Sequence, residues 1–165
     1  MKVAAGGLNI KDASLRTSTP GSVLLSAEEG NVDSNNKTSI DSAGSLEVGA
    51  AGKVDLSGAK VEYSEAGALR LVAGSTDSDA LKVFAHKNNT FKGAEVVLDS
   101  AGGLIFADEA PITVEASSGK AVLKGQKIDL KSGSSVKAAG EATVRGYDSL
   151  VLGDNISVGS SSVSI

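Results

Sequence analysis

A short alternation of apolar, polar and apolar residues recurs along most of the chain. Successive side chains of a strand point to opposite faces, so each triplet predicts a short strand with its two apolar residues facing inward. Gly, Ser, Asp and Asn, which turn a chain, separate the triplets. From Leu46 the first four triplets begin eight, seven and eight residues apart: Leu46-Glu47-Val48, Val54-Asp55-Leu56, Val61-Glu62-Tyr63 and Leu69-Arg70-Leu71. The pattern predicts an all-β protein, a β-helix or solenoid of short strands joined by tight corners.

The inward positions of these triplets are the candidate core, because a solenoid buries one narrow column of aliphatic side chains along its axis. The C-terminal triplet would place Val163 and Ile165 at the tip. The predicted core residues are Leu46, Val48, Val54, Leu56, Leu69, Leu71, Ile112, Val114, Ile128, Leu130, Val144, Leu150, Leu152, Ile156 and Val158.

Two windings are compatible with this pattern. One chain can coil on itself with three strands per coil, and seven coils would then measure about 35 Å along the axis. Alternatively three chains intertwine, each strand pairs with strands of the other two chains, and twenty units reach about 95 Å. Single-chain solenoids usually show a period of about 20 residues or more. The seven-to-eight-residue step is the strongest regularity here, and it favours an intertwined homotrimeric triple-stranded β-helix.

The spaced triplets in Lys127-Ile128-Asp129-Leu130-Lys131-Ser132-Gly133 and Ser149-Leu150-Val151-Leu152-Gly153-Asp154 resemble the octad repeats of phage central spikes and of type VI secretion spikes. The resemblance covers roughly residues 46–165. It implies a trimeric needle at the tip of a contractile tail. Some of these spikes carry an iron-binding His-x-His near the tip, and this sequence has no such pair. A tip without that pair is expected to be either unsharpened or capped by another protein.

The resemblance implies a structural, mechanical function: a virion or injection-apparatus spike that punctures the outer membrane of a bacterial envelope and is not an enzyme. Expected partners are two further copies of the chain, a tail hub or baseplate protein at the N-terminal end, and transiently the outer membrane. The alternative function is a β-solenoid adhesin or surface-fibre domain that binds a receptor or a glycan. Mass in solution and glycan binding separate the two.

The chain divides into two predicted parts. Residues 1–45 are less regular and are expected to be an attachment segment, a looser start of the helix, or an irregular cap on a solenoid. Residues 46–165 are expected to form the β-helical shaft, interrupted near residues 84–111, where all three Phe, the single His and Pro111 lie. Within that interruption, the apolar runs Glu95-Val96-Val97-Leu98 and Gly103-Leu104-Ile105-Phe106 suggest strands that are covered on both faces.

Composition narrows the function further. Aromatic residues make up 3% of the chain, which fits a narrow aliphatic interior better than an ordinary globular core. The formal net charge of −4 disfavours nucleic acid as a partner, because phosphate binding requires a cationic face. No apolar run is long enough to span a bilayer, and the N-terminus does not have the pattern of a secretory signal.

The sequence offers few candidates for catalytic or metal-binding residues. Without Cys and with one His, a thiolate metal site is excluded and a catalytic triad could use only His86. His86 is predicted to face solvent, and three copies on a trimer axis are a weak candidate for a metal or anion site. Asp77-Ser78-Asp79 could ligate calcium, although a solvated turn fits this cluster better. The carboxylate pair Asp108-Glu109 lies on adjacent positions, which would point to opposite faces of a strand. No cofactor is expected.

Overall fold

The chain winds as a three-sided stack of short strands in which each coil lies directly on the one before it. The computed structural model describes residues 1–18, 21–107, 110–160 and 162–164, and for Val163 and Ser164 only the backbone is described. Twenty strands lie in these ranges, with one 3₁₀ turn at Lys87–Asn89 and no α-helix. All strand pairs are parallel, and together they form a β-solenoid of about seven turns. The predicted all-β solenoid class is confirmed.

The first side is a continuous sheet, and the second side is one sheet over the first five coils. The first side is an eight-stranded sheet made of β1 (Lys2–Ala5), β4 (Val23–Ala27), β7 (Leu46–Ala50), β10 (Leu69–Ala73), β13 (Val96–Ser100), β16 (Ala121–Leu130), β18 (Glu141–Leu152) and β20 (Ser162–Ser164). The second side is a five-stranded sheet made of β2 (Leu8–Asn9), β5 (Val32–Asp33), β8 (Val54–Asp55), β11 (Leu81–Val83) and β14 (Leu104–Phe106).

The third side consists of two sheets in succession along the axis. The first contains β3 (Ser14–Arg16), β6 (Ser39–Ser42) and β9 (Lys60–Tyr63). The second contains β12 (Thr90–Gly93), β15 (Thr113–Ala116), β17 (Ser135–Ala138) and β19 (Ser157–Gly159).

The length of each coil is the number of residues between register partners on neighbouring coils. Leu46 pairs with Val23 on one side and with Leu69 on the other, so these two coils have the same length. The next coil of the first side, which brings Val96 beside Leu69, is the longest. Every described strand pairs with strands of its own chain, one coil away. The steps of eight, seven and eight residues therefore correspond to the three sides of the single coil between Leu46 and Leu69, and a homotrimeric winding stays a prediction.

The interior is a single aliphatic column. Its inward positions alternate with partly exposed ones along each strand, as in β4 and β10. Eleven of the fifteen predicted core residues are buried: Leu46, Val48, Val54, Leu56, Leu69, Leu71, Ile112, Val114, Ile128, Leu130 and Val144. Burial of apolar area at about 25 cal/mol per Å² is the main term that holds such a column together.

The other four predicted core residues lie in the last coil and are not fully buried. Leu150, Ile156 and Val158 are half-buried, and Leu152 is 45% exposed. Their side chains take the inward positions, since Leu150 and Leu152 pair with the buried Ile128 and Leu130. They remain accessible because, among the described residues, no complete coil lies over them.

The strand ladders run through the predicted boundary at residue 45 and break near the predicted interruption. Residues 1–45 contain β1 to β6, which pair in register with the following coils, so the solenoid begins at its first strand and not at Leu46. Residues 84–111 contain both breaks in the strand ladders. The third side breaks between β9 and β12, and the second side ends at β14.

Candidate functional site

The outward residues of the second side form a column that is polar over its first four strands and that then contains two exposed apolar residues, Ile105 and Val151, with Asp129 between them. Register places Asn9 beside Asp33, Asp33 beside Asp55, and Asp55 beside Lys82. The next position is Ile105, which pairs with Lys82 and is 42% exposed. The change in surface chemistry therefore coincides with β14, the last strand of the second-side sheet.

The polar part of the column is an ion-pair network. The Lys53 Nζ lies 3.0 Å from Asp77 and 2.7 Å from Asp79, and the Lys82 Nζ lies 3.3 Å from both Asp79 and Asp55. The carboxylates of the Asp77-Ser78-Asp79 turn are thus paired with lysines of the same chain. Among the described residues, no group of three or more His, Cys, Asp or Glu is arranged to hold a metal ion.

The pKa values of the network follow from this pairing. The hydrogen bond from Lys53 is the largest cause that lowers the pKa of Asp79, and Lys82 lowers it further. Burial alone would raise the pKa of Asp55, but hydrogen bonds from Ser57 and Lys82 outweigh burial and lower it. The pKa of Lys82 is raised, first by its hydrogen bond to Asp55. All these groups therefore stay charged near neutral pH.

A groove opens beside the apolar part of the column. Its wider part has a volume of about 330 Å³ and lies between Ile105 on one side and Val151 on the other, with Lys127, Asp129 and Ser149 along it. Its narrower part, about 160 Å³, continues past Phe106 and Ala110 to Lys131. Asp129 and Lys131 form an ion pair at 2.6 Å on its rim. We call this feature the second-side groove.

The groove exists because the coils separate after one corner. The Gln126 N–H donates to the Gly102 carbonyl at 2.7 Å, so the backbones still meet at that corner. Beyond it β14 has no strand partner on its far edge among the described residues, while the Lys127–Leu130 half of β16 pairs with β18. A bulge opposite Gln126, where β18 has one extra residue, accompanies the separation.

The two apolar runs near the groove differ from each other. Val97 faces outward on the first side yet is only 4% exposed, so its strand is covered on both faces as expected. Ile105 is exposed, and the expectation that its strand is covered on both faces is wrong. The physical reason is the separation of the coils, which leaves the outer face of β14 open.

His86 lies in an aromatic cluster at the break of the third side. Its ring is 5.3 Å from that of Tyr63, 5.7 Å from Phe84 and 6.1 Å from Phe91, centroid to centroid. It is half-buried, which corrects the expectation that it faces solvent. The described contacts of the ring are aromatic, as expected for a packing residue.

The aromatic cluster fills the space that the longest coil creates. Phe84 and Phe91 are fully buried, and the Lys92 N–H donates to the Tyr63 hydroxyl at 3.1 Å. Burial raises the pKa of Tyr63, so it remains a neutral phenol. Asn88 and Asn89 turn the chain there with positive φ angles of 50° and 51°. These residues therefore fill and close the longest coil.

Two predicted features lie wholly or partly outside the described residues. Val163 belongs to β20, for which its backbone alone is described, and Ile165 lies outside the described residues. Asp108 and Glu109 also lie outside them. In the described part of the chain, no helix has the length and apolar character needed to cross a bilayer.

Comparison with known proteins gives no relative: no family model, curated protein or solved structure matches this chain.

The triplet pattern did not predict the second-side groove. The available signal was an apolar residue at an outward position, Ile105 within Gly103-Leu104-Ile105-Phe106 and Val151 within Leu150-Val151-Leu152. The other outward positions of the second side carry polar residues: Asn9, Asp33, Asp55, Lys82 and Asp129.

Proposed function

We propose that the chain is a non-enzymatic β-solenoid domain of a surface fibre or adhesin, and that it binds a glycan in the second-side groove. The observation that carries this proposal is the pair of exposed apolar residues Ile105 and Val151 that line one groove on either side of the outward Asp129. A solvent-facing strand position is ordinarily polar, so two apolar residues facing one groove indicate a surface that is covered in use.

The winding supports a fibre domain over a piercing needle. The described strands pair within one chain, as a fibre domain requires, whereas the needle requires strands that pair between three chains. A stack of coils with a groove on its side suits display of a binding surface.

The lining of the groove supports a glycan as the occupant. Sugars present apolar C–H faces and hydroxyl groups, and the groove combines Ile105, Phe106 and Val151 with Lys127 and Asp129. Its volume of about 330 Å³ is at the low end for ligand pockets. Such a groove holds a few sugar units and is too small for a folded protein. The absence of an enzyme activity is part of the proposal, and the packing of His86 among aromatic rings agrees with it.

A glycan array probed with the fluorescently labelled chain tests the proposal. We expect binding to a restricted set of glycans and its loss in the double variant Ile105→Asp, Val151→Asp. The matched control is Val72→Asp, which adds a carboxylate at a half-exposed outward position of the first side. Binding to no glycan, or binding that both variants retain, would refute the glycan site.

The envelope-piercing spike remains the second candidate, and the seven-to-eight-residue step of the triplets favours it. It requires a homotrimer in which the same triplets pair between chains, a tail hub or baseplate protein at the N-terminal end, and a capping protein at the tip. The half-exposed Leu150 and the exposed Leu152 at the C-terminal end offer an apolar seat for such a cap. A sedimentation mass of three times 16.4 kDa at every concentration would support this candidate, and a monomer would refute it.

A further inference from the structure

A second groove lies on the outward face of the first side. Its volume is about 270 Å³, and it runs over three neighbouring strands, β4, β7 and β10. Each of these strands has a paired strand on both sides, so none of them is an open edge of the sheet. We call this feature the first-side groove. Its outward residues are Leu24, Ser26, Glu47, Arg70 and Val72, with Gly49 between Ser26 and Val72 in register.

The fold of a single chain does not require a glycine in the middle of this groove. A Cβ on Gly49 would meet nothing within 4 Å. The strand glycine Gly93 differs, because a Cβ there would lie 2.8 Å from the Glu95 carbonyl oxygen. A glycine inside a strand costs about 0.5–1 kcal/mol relative to alanine, and it often marks a place where a ligand or another backbone approaches closely. Gly49 therefore indicates a space that an external group occupies.

The charges beside the groove are incompletely paired within the chain. Glu47 and Arg70 are register partners on β7 and β10. The Arg70 guanidinium nevertheless pairs with Glu95, at 3.8 Å, and Lys120 shares that carboxylate at 3.9 Å. In the described part of the chain, no cation lies within 4.0 Å of the Glu47 carboxylate. A carboxylate and a loosely held guanidinium thus flank the groove, and they favour an occupant that carries both opposite charges.

A second copy of the chain carries those charges when two first sides face each other and run antiparallel. A two-fold axis parallel to the strands, midway between β7 and β10, places β7 of one copy opposite β10 of the other. Glu47 then faces Arg70 of the second copy, and Gly49 faces Val72 of the second copy. Each contact occurs twice, because a two-fold interface is isologous. The Val72 side chain enters the space that Gly49 leaves open.

The neighbouring strands are compatible with this axis, and other positions of the axis are not. β4 lies opposite β13, which brings together two apolar outward residues, Leu24 and Val97. An axis through β7 itself would set Glu47 against Glu47, and an axis through β10 would set Arg70 against Arg70. Like charges that face each other across an interface are repulsive. The order of charges along the first side therefore selects the axis between β7 and β10.

We propose that two copies of this chain associate through their first sides as an antiparallel, two-fold symmetric dimer. Facing sheets pack about 10 Å apart, which is too far for a disulfide between opposed residues. About six strands of about five residues from each copy take part, so the total interface is about 1,000 Å², at the lower limit for a specific contact. The dimer should therefore dissociate on dilution. The second-side groove lies on another side, so this inference is independent of the proposed glycan site.

Charge reversal tests both the surface and its antiparallel direction. Glu47→Arg sets arginines against arginines, and Arg70→Glu sets glutamates against glutamates, so each variant alone should dimerise more weakly by about tenfold or more. An equimolar mixture of the two variants regains both ion pairs, and we expect a dimer with one copy of each. Lys137→Glu is the matched control, because it reverses an exposed charge on the third side and should leave dimerisation unchanged.

The space over Gly49 is tested by a variant that fills it. In Gly49→Leu the added Cβ has no neighbour within 4 Å in its own chain, so the fold should be retained. The leucine takes the space that Val72 of the second copy needs, so dimerisation should be lost. A folded Gly49→Leu chain that dimerises as well as the unmodified chain would contradict the proposed contact.

Sedimentation equilibrium gives the readout for the 165-residue chain. The mass of the unmodified chain should rise with concentration from 16.4 kDa to twice that value, and association should weaken between about 0.05 M and about 0.5 M salt. Circular dichroism establishes that each variant is folded. If a charge variant does not fold, Gly49→Leu and the salt dependence still decide the matter. A chain that stays monomeric at high concentration, a fixed trimer, or two folded charge variants that do not combine would each overturn the proposal.

Discussion

A pair of engineered cysteines distinguishes pairing within one chain from pairing between chains. Glu47 and Arg70 are register partners on neighbouring coils of the first side, and both face outward. The chain has no cysteine of its own, so the double variant Glu47→Cys, Arg70→Cys carries the only two thiols. Opposite residues on adjacent strands have Cα atoms within the range of about 4.4–6.8 Å that a disulfide spans.

The expected stabilisation follows from the register. The bridge closes one coil of the solenoid, the loop from Glu47 to Arg70. In the chain-entropy model a loop of about 23 residues loses about 11 cal/mol/K in the unfolded state, or about 3.4 kcal/mol at 25 °C. For 165 residues the unfolding entropy is about 350 cal/mol/K, so the melting temperature should rise by up to about 10 °C. The variant also loses the exposed Arg70–Glu95 ion pair at 3.8 Å, and this loss lowers the expected stabilisation only slightly.

Non-reducing electrophoresis and thermal melting read out the result. We expect a monomeric band of altered mobility, loss of both free thiols, and a melting temperature that falls back on reduction. The single variants Glu47→Cys and Arg70→Cys control for the substitutions themselves. In an intertwined trimer the strand beside Glu47 belongs to another chain, so covalent dimers and trimers would form instead. That outcome would refute the single-chain register and every inference drawn from it.

Two further predictions test the corners and the ion-pair network. Gly67→Ala should lower the free energy of unfolding by about 1–3 kcal/mol, because a Cβ there would lie 2.7 Å from the Ser45 backbone nitrogen. In the control Gly49→Ala the added Cβ meets nothing within 4 Å, so the free energy of unfolding should be unchanged or higher. Chemical denaturation measures both variants. The pKa of Asp79 is lowered in the folded chain, so its contribution to stability is present above the unfolded pKa and is lost as pH falls through the folded pKa. Asp79→Asn should therefore lower the melting temperature at pH 7 but have little effect well below pH 3, and an equal effect at both pH values would contradict the assigned pairing.

The cross-section of the fold could be predicted from the sequence, and the winding could not. Triplets such as Leu46-Glu47-Val48 place their apolar residues inward whether the next strand comes from the same chain or from another. The step of eight, seven and eight residues is also common to both windings, since it measures one side of the triangle. Only the register of Leu46 with Leu69 distinguishes them, and that register depends on which backbone lies above Leu46. The alternation along one strand contains no signal for that choice.

The candidate site was less accessible to sequence reasoning. The groove depends on β14 having no strand partner beyond the corner at Gly102, and alternation within one strand does not show where a strand ladder ends. His86 illustrates the opposite case: its charged neighbour Lys87 suggested a solvated residue, but the extra length of its coil folds it back onto Tyr63. Contacts between residues far apart in the sequence determine both the groove and the position of His86, as expected where a coil differs in length from its neighbours.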